Sequence, residues 1–217
     1  MIKHGPVLSS LLASAVIALA AALAGPSGAL ASGDDDPRGA MLANTCNGCH
    51  GPEGTSRGPA VPTIAGLDQA YLVEAMTAFR NGNRPSTIMG RIARAYSEED
   101  IGLIADYFAA RPFGRVADQP FDAALAQKGK AIYDDLCEDC HEERGYSGED
   151  APVLAGQMMP YLANEIRDLA SAARDLEKVE DISSRTRRKK QRELKKLIED
   201  HGDAGIDALV AFFGSLK

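Results

Sequence analysis

The sequence predicts an all-α fold made of two tandem halves, each built around one copy of the same short chemical motif. Three observations carry this. No stretch shows sustained two-residue alternation of apolar and polar side chains, so no sheet is expected. Apolar residues recur at helical spacing, as in Tyr71, Leu72, Ala75, Met76 and Phe79. The second half also repeats the first: Cys46-Asn47-Gly48-Cys49-His50 returns as Cys137-Glu138-Asp139-Cys140-His141, and Pro62-Thr63-Ile64-Ala65-Gly66 with Tyr71-Leu72 returns as Pro152-Val153-Leu154-Ala155-Gly156 with Tyr161-Leu162.

The elements follow in order. Residues 1–31 read as a secretory segment: Lys3 and His4, an Ala/Leu/Val run from Val7 to Ala24, the breaker Gly25-Pro26, then Ala29-Leu30-Ala31 as the cleavage site before Ser32. The competing reading is a retained anchor, because the apolar run is near the lower length limit of a membrane span. A first domain, 32–112, opens with Asp36-Pro37, a capping residue and a first-turn proline. Its middle helix carries the Tyr71 to Phe79 face. Its last helix starts at Ser97, where Ser97 and Asp100 form a capping-box pattern ahead of Ile101, Ile104, Tyr107 and Phe108. A linker, 113–120, is marked by Gly114 and Pro120. The second domain, 121–217, opens at Phe121-Asp122 and ends in a helix from Asp203 to Phe213, and the two domains are expected to pair through apolar faces.

With 217 residues, 45% hydrophobic content and no tryptophan, the chain has room for two small domains but only thin cores to fill them. A net charge of −7 gives no basic surface for nucleic acid.

The repeated pentapeptide carries the chemistry. Together the two copies consume all four cysteines and two of the four histidines. A zinc ribbon usually separates its Cys-x-x-Cys pairs by about 15 to 20 residues, whereas these start at 46 and 137. A disulfide framework or a thioredoxin-like pair needs no histidine after the second cysteine. Covalent haem needs all three residues: two thiols for the two vinyl groups, and an imidazole held where it meets the iron. The sequence therefore predicts two covalently attached haem c groups, on Cys46/Cys49 and Cys137/Cys140, with His50 and His141 as proximal iron ligands. Each haem would supply apolar bulk that the cores lack. The segments Gly58 to Pro62 and Ala151-Pro152 lie where a backbone carbonyl can accept from the imidazole. Haem attachment of this kind and an export segment together place the mature chain in the periplasm, with no stable membrane insertion.

An electron-transfer haem normally keeps a second strong axial ligand, and thioether sulfur raises its potential. Met89, in the loop Pro85 to Arg91, is the candidate for the first haem, ahead of Met76, whose place in an apolar stripe reads as packing. The second half breaks the symmetry. Its methionines, Met158 and Met159, align with Asp68 and Gln69 at the start of the helix after the repeated Ala-Gly, and a counterpart of Met89 is replaced by Arg185-Thr186-Arg187-Arg188-Lys189-Lys190-Gln191-Arg192. Three arrangements stay open: Lys190 coordinates, His201 coordinates, or the iron is open or water-bound. The plainer reading of the basic run is a solvated helix face paired with acids, with a partner-docking role also open.

Several segments together resemble the dihaem cytochrome subunit of flavocytochrome c sulfide dehydrogenase: Ser86 to Ala93, Leu154-Ala155-Gly156-Gln157, Pro160-Tyr161-Leu162 and Gly202 to Leu209. More loosely, the chain is similar to the tandem dihaem class I cytochromes c. The resemblance implies two class I cytochrome c domains. It implies Cys46, Cys49, Cys137 and Cys140 as attachment residues, His50 and His141 as proximal ligands, and Met89 as a distal ligand. It also implies a non-catalytic electron carrier with no flavin of its own, a separate flavoprotein sulfide dehydrogenase subunit as donor, and a soluble electron acceptor. The chain departs from that family near Thr186 and Lys190, where the family carries methionine. Two other readings are a free-standing dihaem shuttle to a terminal oxidase or reductase, and an open second iron that binds peroxide or carbon monoxide.

Overall fold

In the computed structural model the described residues are 36–115, 119–147, 151–179 and 182–217, and residues 33–217 form one compact unit. The expected secretory segment, 1–31, and residues 116–118 of the expected linker lie outside them. The described residues form helices and turns with no strand, as the absence of alternation predicts.

In the first half, α1 (Pro37–Asn44) starts where the Asp36 carboxylate accepts from the Arg38 and Gly39 amides, and proline at the first position loses no helical bond. One turn, α2 (Asn47–His50), carries the first motif. The middle helix α3 (Gln69–Asn81) is capped by Asp68 and closed by Gly82 in the left-handed conformation. A short α4 (Met89–Ala93) precedes α5 (Glu98–Ala109), whose start is the reciprocal Ser97/Asp100 capping box. The first core gathers Ala43, Leu67, Leu72, Ile104, Ala105 and Phe108.

The second half reproduces this with α6 (Ala123–Leu136), the short turn α7 (Glu142–Gly145), α8 (Met159–Ala170) and α9 (Ser184–Ser215). Gly202, at φ 58°, breaks α9 into two straight segments. The second segment is the expected counterpart of α5. Tyr133, Phe212 and Phe213 stack within 5.2–5.8 Å in a larger core with Ile132, Leu136, Leu162, Ile206 and Leu209. Burial of each large apolar side chain is worth about 1.5–3 kcal/mol, so these contacts set the angle between first and last helices.

The repeat extends to backbone detail. The Ile64 and Ala65 amides donate to the Gly54 carbonyl (2.8 and 3.2 Å), and Leu154 and Ala155 donate to Gly145 (2.9 and 3.0 Å). Gly66 then reaches Phe108 at 2.8 Å as Gly156 reaches Phe213 at 2.9 Å. Where first and last helices cross, each half has a glycine. A Cβ at Gly39 would sit 3.2 Å from the Leu103 carbonyl oxygen, and one at Gly129 would sit 1.9 Å from that of Ala208.

The two halves meet through apolar contacts, as where Val153 packs against the first core, and through buried polar groups that the sequence did not lead one to expect. Gln157, 2% exposed, uses its amide as a clamp: its Oε1 accepts from the Thr63 amide (2.8 Å) and its Nε2 donates to the Thr63 carbonyl (2.9 Å). Beside it, Arg84 donates to the Tyr161 hydroxyl (2.9 Å) and pairs with Glu165 (2.7 Å), while Arg174 pairs with Glu165 (2.8 Å) and Glu74 (3.5 Å). Buried charges persist only when paired in this way. Burial pushes the Glu165 carboxyl up, but the two arginines outweigh it and hold the group below the ordinary range. Burial likewise opposes the Arg84 charge, yet Tyr161, Tyr71 and Glu165 hold its pKa well above the ordinary value.

Candidate functional site

Each Cys-x-x-Cys-His motif begins as one helix ends, so a tight turn places the histidine back toward the core. In the first half the Cys49 and His50 amides both donate to the Cys46 carbonyl (3.2 and 2.9 Å), and in the second the Cys140 and His141 amides donate to Cys137 (3.2 and 2.9 Å). This local winding fixes two thiols and one imidazole on a single turn.

His50 is 8% exposed, and its Nδ1 lies 2.8 Å from the Pro62 carbonyl oxygen. A carbonyl can only accept, so Nδ1 carries the proton and Nε2 keeps its lone pair for a metal. Burial pulls the His50 pKa down, against the opposing effect of that carbonyl. His141 is pushed down to about 3 by burial first and by the nearby Lys190 charge second. Its Nδ1 is buried and makes no hydrogen bond, although the Pro152 carbonyl lies on that side in the place Pro62 holds in the first half. Its backbone carbonyl accepts from the Tyr133 hydroxyl, a fully buried group. Both rings are thus held neutral, as metal ligation requires.

The four thiols stand free. Burial raises Cys46, and burial together with Cys140 pushes Cys137 up to about 12. Among the described residues no three His, Cys, Asp or Glu side chains converge to hold a metal ion. The donor set instead fits haem c. Cys137, Cys140 and His141 border a cavity of about 190 Å³ walled by apolar side chains including Leu136, Leu154, Ile166, Leu169, Leu176 and Leu209. Such a wall suits a flat apolar macrocycle, with iron presented to the imidazole.

A family model for cytochrome c matches residues 38–109 and 126–217. The chain belongs to the cytochrome c family. It is 45% identical over 73 residues to the cytochrome subunit of sulfide dehydrogenase from Chlorobaculum tepidum, which covers 34% of this chain and 66% of that one, just under two thirds of its length. It is 42% identical over 77 residues to the thiosulfate dehydrogenase electron acceptor of Stutzerimonas stutzeri, covering 33% of this chain and 36% of that one. The structure of reduced cytochrome c4 from Pseudomonas stutzeri superposes with a TM-score of 0.67 at 25% identity, covering 82% of this chain and 97% of that chain. These relatives are electron carriers or cytochrome subunits of dehydrogenases, and this cytochrome is likewise a dihaem electron-transfer protein, not a bond-making catalyst.

The distal candidates fall in different surroundings. Met89 is the first residue of α4 and is half-buried, with the Gly90 amide donating to Ser86 Oγ at 2.8 Å to close the loop before it. Met76 is also half-buried on α3, whose buried residues are Leu72, Ala75 and Ala78. Met158 is 5% exposed, and Met159 packs its sulfur against Gly214 and onto the second core. His201 is exposed at the Gly202 break and is not part of the cavity wall, whereas Lys190 is. Burial pulls the Lys190 pKa down to about 8, reinforced by Arg174 and opposed by Glu165. Three of the run's six cations pair with acids: Arg187 with Glu177 (3.2 Å), Lys189 with Asp139 (2.5 Å) and Arg192 with Glu193 (3.4 Å). Sequence reading missed Gln157, Arg84, Arg174 and Glu165, whose partners lie in the other half or across a helix pair.

Among the described residues no helix is long and apolar enough to cross a membrane.

Proposed function

We propose that this cytochrome works in the periplasm, freed of residues 1–31, and takes electrons from a flavoprotein sulfide dehydrogenase subunit for delivery to a soluble carrier. Cys46 and Cys49 would hold one haem c and Cys137 and Cys140 the other, in domains 32–112 and 121–217 joined by 113–120. His50 and His141 would be the proximal ligands and Met89 the distal ligand of the first. When bound, each haem supplies one-electron chemistry at its iron. The protein's own part is to bind, orient and shield. The Pro62 carbonyl holds the His50 ring in its tautomer, and the apolar wall around His141 excludes water. The paired arginines between the halves keep one rigid relation between the two sites.

The observation that carries the reading is the doubled motif with each histidine neutral and turned into its half, in a chain whose relatives include a sulfide dehydrogenase cytochrome subunit. The test is to isolate the native protein from periplasm under conditions that keep subunits together, look for co-eluting flavin absorbance, and add sulfide while following the reduced haem bands. Flavin with rapid haem reduction supports the reading. A flavin-free protein that sulfide reduces only slowly refutes it in favour of the second reading, a free-standing dihaem shuttle. That alternative draws support from the near-complete coverage, 97%, of the cytochrome c4 chain.

A further inference from the structure

We infer that the amine of Lys190 is the distal ligand of the second haem iron. The inference rests on the dihaem reading above and deepens it. The sequence offers no methionine after Met159; Met158 is buried at the start of α8 and Met159 packs against the second core. His201 stands exposed just before the Gly202 break and does not border the cavity. Along the cavity α9 runs a stripe of Thr186, Lys190, Glu193 and Leu197, spaced four, three and four residues apart so that they share one helix face, with Lys189 and Leu194 at its edge. Lys190 therefore borders the same cavity as His141, Cys137 and Cys140.

Its surroundings separate it from the rest of the basic run. Arg187 is held by Glu177 and by the Val179 carbonyl, and Lys189, which also borders the cavity, is held by Asp139. Among the described residues the Lys190 ammonium has no hydrogen bond and no ion-pair partner within reach. The three carboxylates that border the cavity are engaged elsewhere: Glu165 by Arg84 (2.7 Å) and Arg174 (2.8 Å), Glu74 by Arg174 (3.5 Å) and Glu193 by Arg192 (3.4 Å). A cation on a largely apolar wall without its own counter-ion is costly. An amine that gives its lone pair to a metal satisfies the same position without a net charge on nitrogen. On binding, the ammonium releases one proton to solvent as the nitrogen–iron bond forms, and no electron is transferred. Relative to thioether sulfur, nitrogen favours ferric iron, so the second haem lies below the Met89-bound haem in potential. Electrons then run from the second site to the first.

The experiment uses the full holoprotein, with covalent haem counted per chain before any spectroscopy. Two haems per chain are required, and one per chain overturns the dihaem reading itself. The ferric wild-type protein is expected to give two near-infrared charge-transfer bands, one of a thioether-ligated and one of an amine-ligated low-spin haem. Lys190→Ala is expected to lose the amine band alone and to bind carbon monoxide at one haem per chain when reduced. Lys190→Met keeps a ligating side chain of similar reach in case the alanine variant matures poorly. It is expected to replace the amine band by a second thioether band and to raise the second potential toward the first. An amine band that persists in both variants, or a wild-type second haem that is already high-spin and binds carbon monoxide, overturns the assignment.

Discussion

Replacing Gln157 by leucine removes an amide that is almost fully buried and makes three hydrogen bonds: from the Thr63 amide (2.8 Å), to the Thr63 carbonyl (2.9 Å) and from the Met158 amide (2.9 Å). Thr63 is 0% exposed and Met158 5%, so neither can turn to bulk water. A net ~1 kcal/mol per bond gives about 3 kcal/mol, and the figure rises if the orphaned groups stay dry, because an unsatisfied buried group costs ~1–3 kcal/mol. The apolar leucine offsets only part of this. Urea unfolding followed by far-UV circular dichroism reads the loss as a shift of midpoint at constant slope. A second readout is specific to the clamp. Thr63 follows Pro62, whose carbonyl orients His50, so a loosened segment weakens that hydrogen bond and the donor strength of the imidazole. The potential of a haem ligated by His50 should therefore rise. A stability change below about 0.5 kcal/mol with that potential unmoved would refute the idea that the second half sets the first haem's proximal ligand.

Met89→Ala should leave the first haem attached but lower its potential and open it to carbon monoxide, and an unchanged spectrum returns Met89 to packing. Glu165→Gln should destabilise the holoprotein by about 3–5 kcal/mol, because it leaves Arg84 and Arg174 buried with their shared partner gone. The same group shapes acid stability. Its folded pKa is held below the ordinary 4.5, so its contribution is complete above the unfolded value and is lost as pH falls through the folded one. Denaturation midpoints measured across that range should fall less steeply in the glutamine variant. Gly129→Ala would place a Cβ 1.9 Å from the Ala208 carbonyl oxygen, a backbone atom that cannot yield cheaply, and should cost at least ~1–3 kcal/mol by calorimetry while Gly102→Ala, with open space around it, should not.

What could be read from the sequence was what is decided within a few residues. The caps at Asp36, Ser97 and Asp122 are closed by bonds two or three positions away, and the haem motif winds on itself in one turn, so each was visible as a local pattern. The junction was not, because Gln157 meets Thr63 across 94 positions and Arg84 meets Tyr161 across 77. Their identities alone suggest surface residues, and only the fold shows that they are buried and paired. Two signals were present but unread. A glycine inside a helix costs about 1 kcal/mol relative to alanine, so Gly39 and Gly129, at matched positions of the repeat, already implied that another backbone passes close by. The basic run hid a second: Thr186, Lys190 and Glu193 fall in phase with the buried Leu197. His201, four residues past Leu197, shares that phase, so what separates the two nitrogen candidates is that His201 is exposed just before the Gly202 break while Lys190 borders the cavity. Phase relative to a buried leucine, more than residue type, turns Lys190 toward the cavity in a stretch whose charge would otherwise place all of it in solvent.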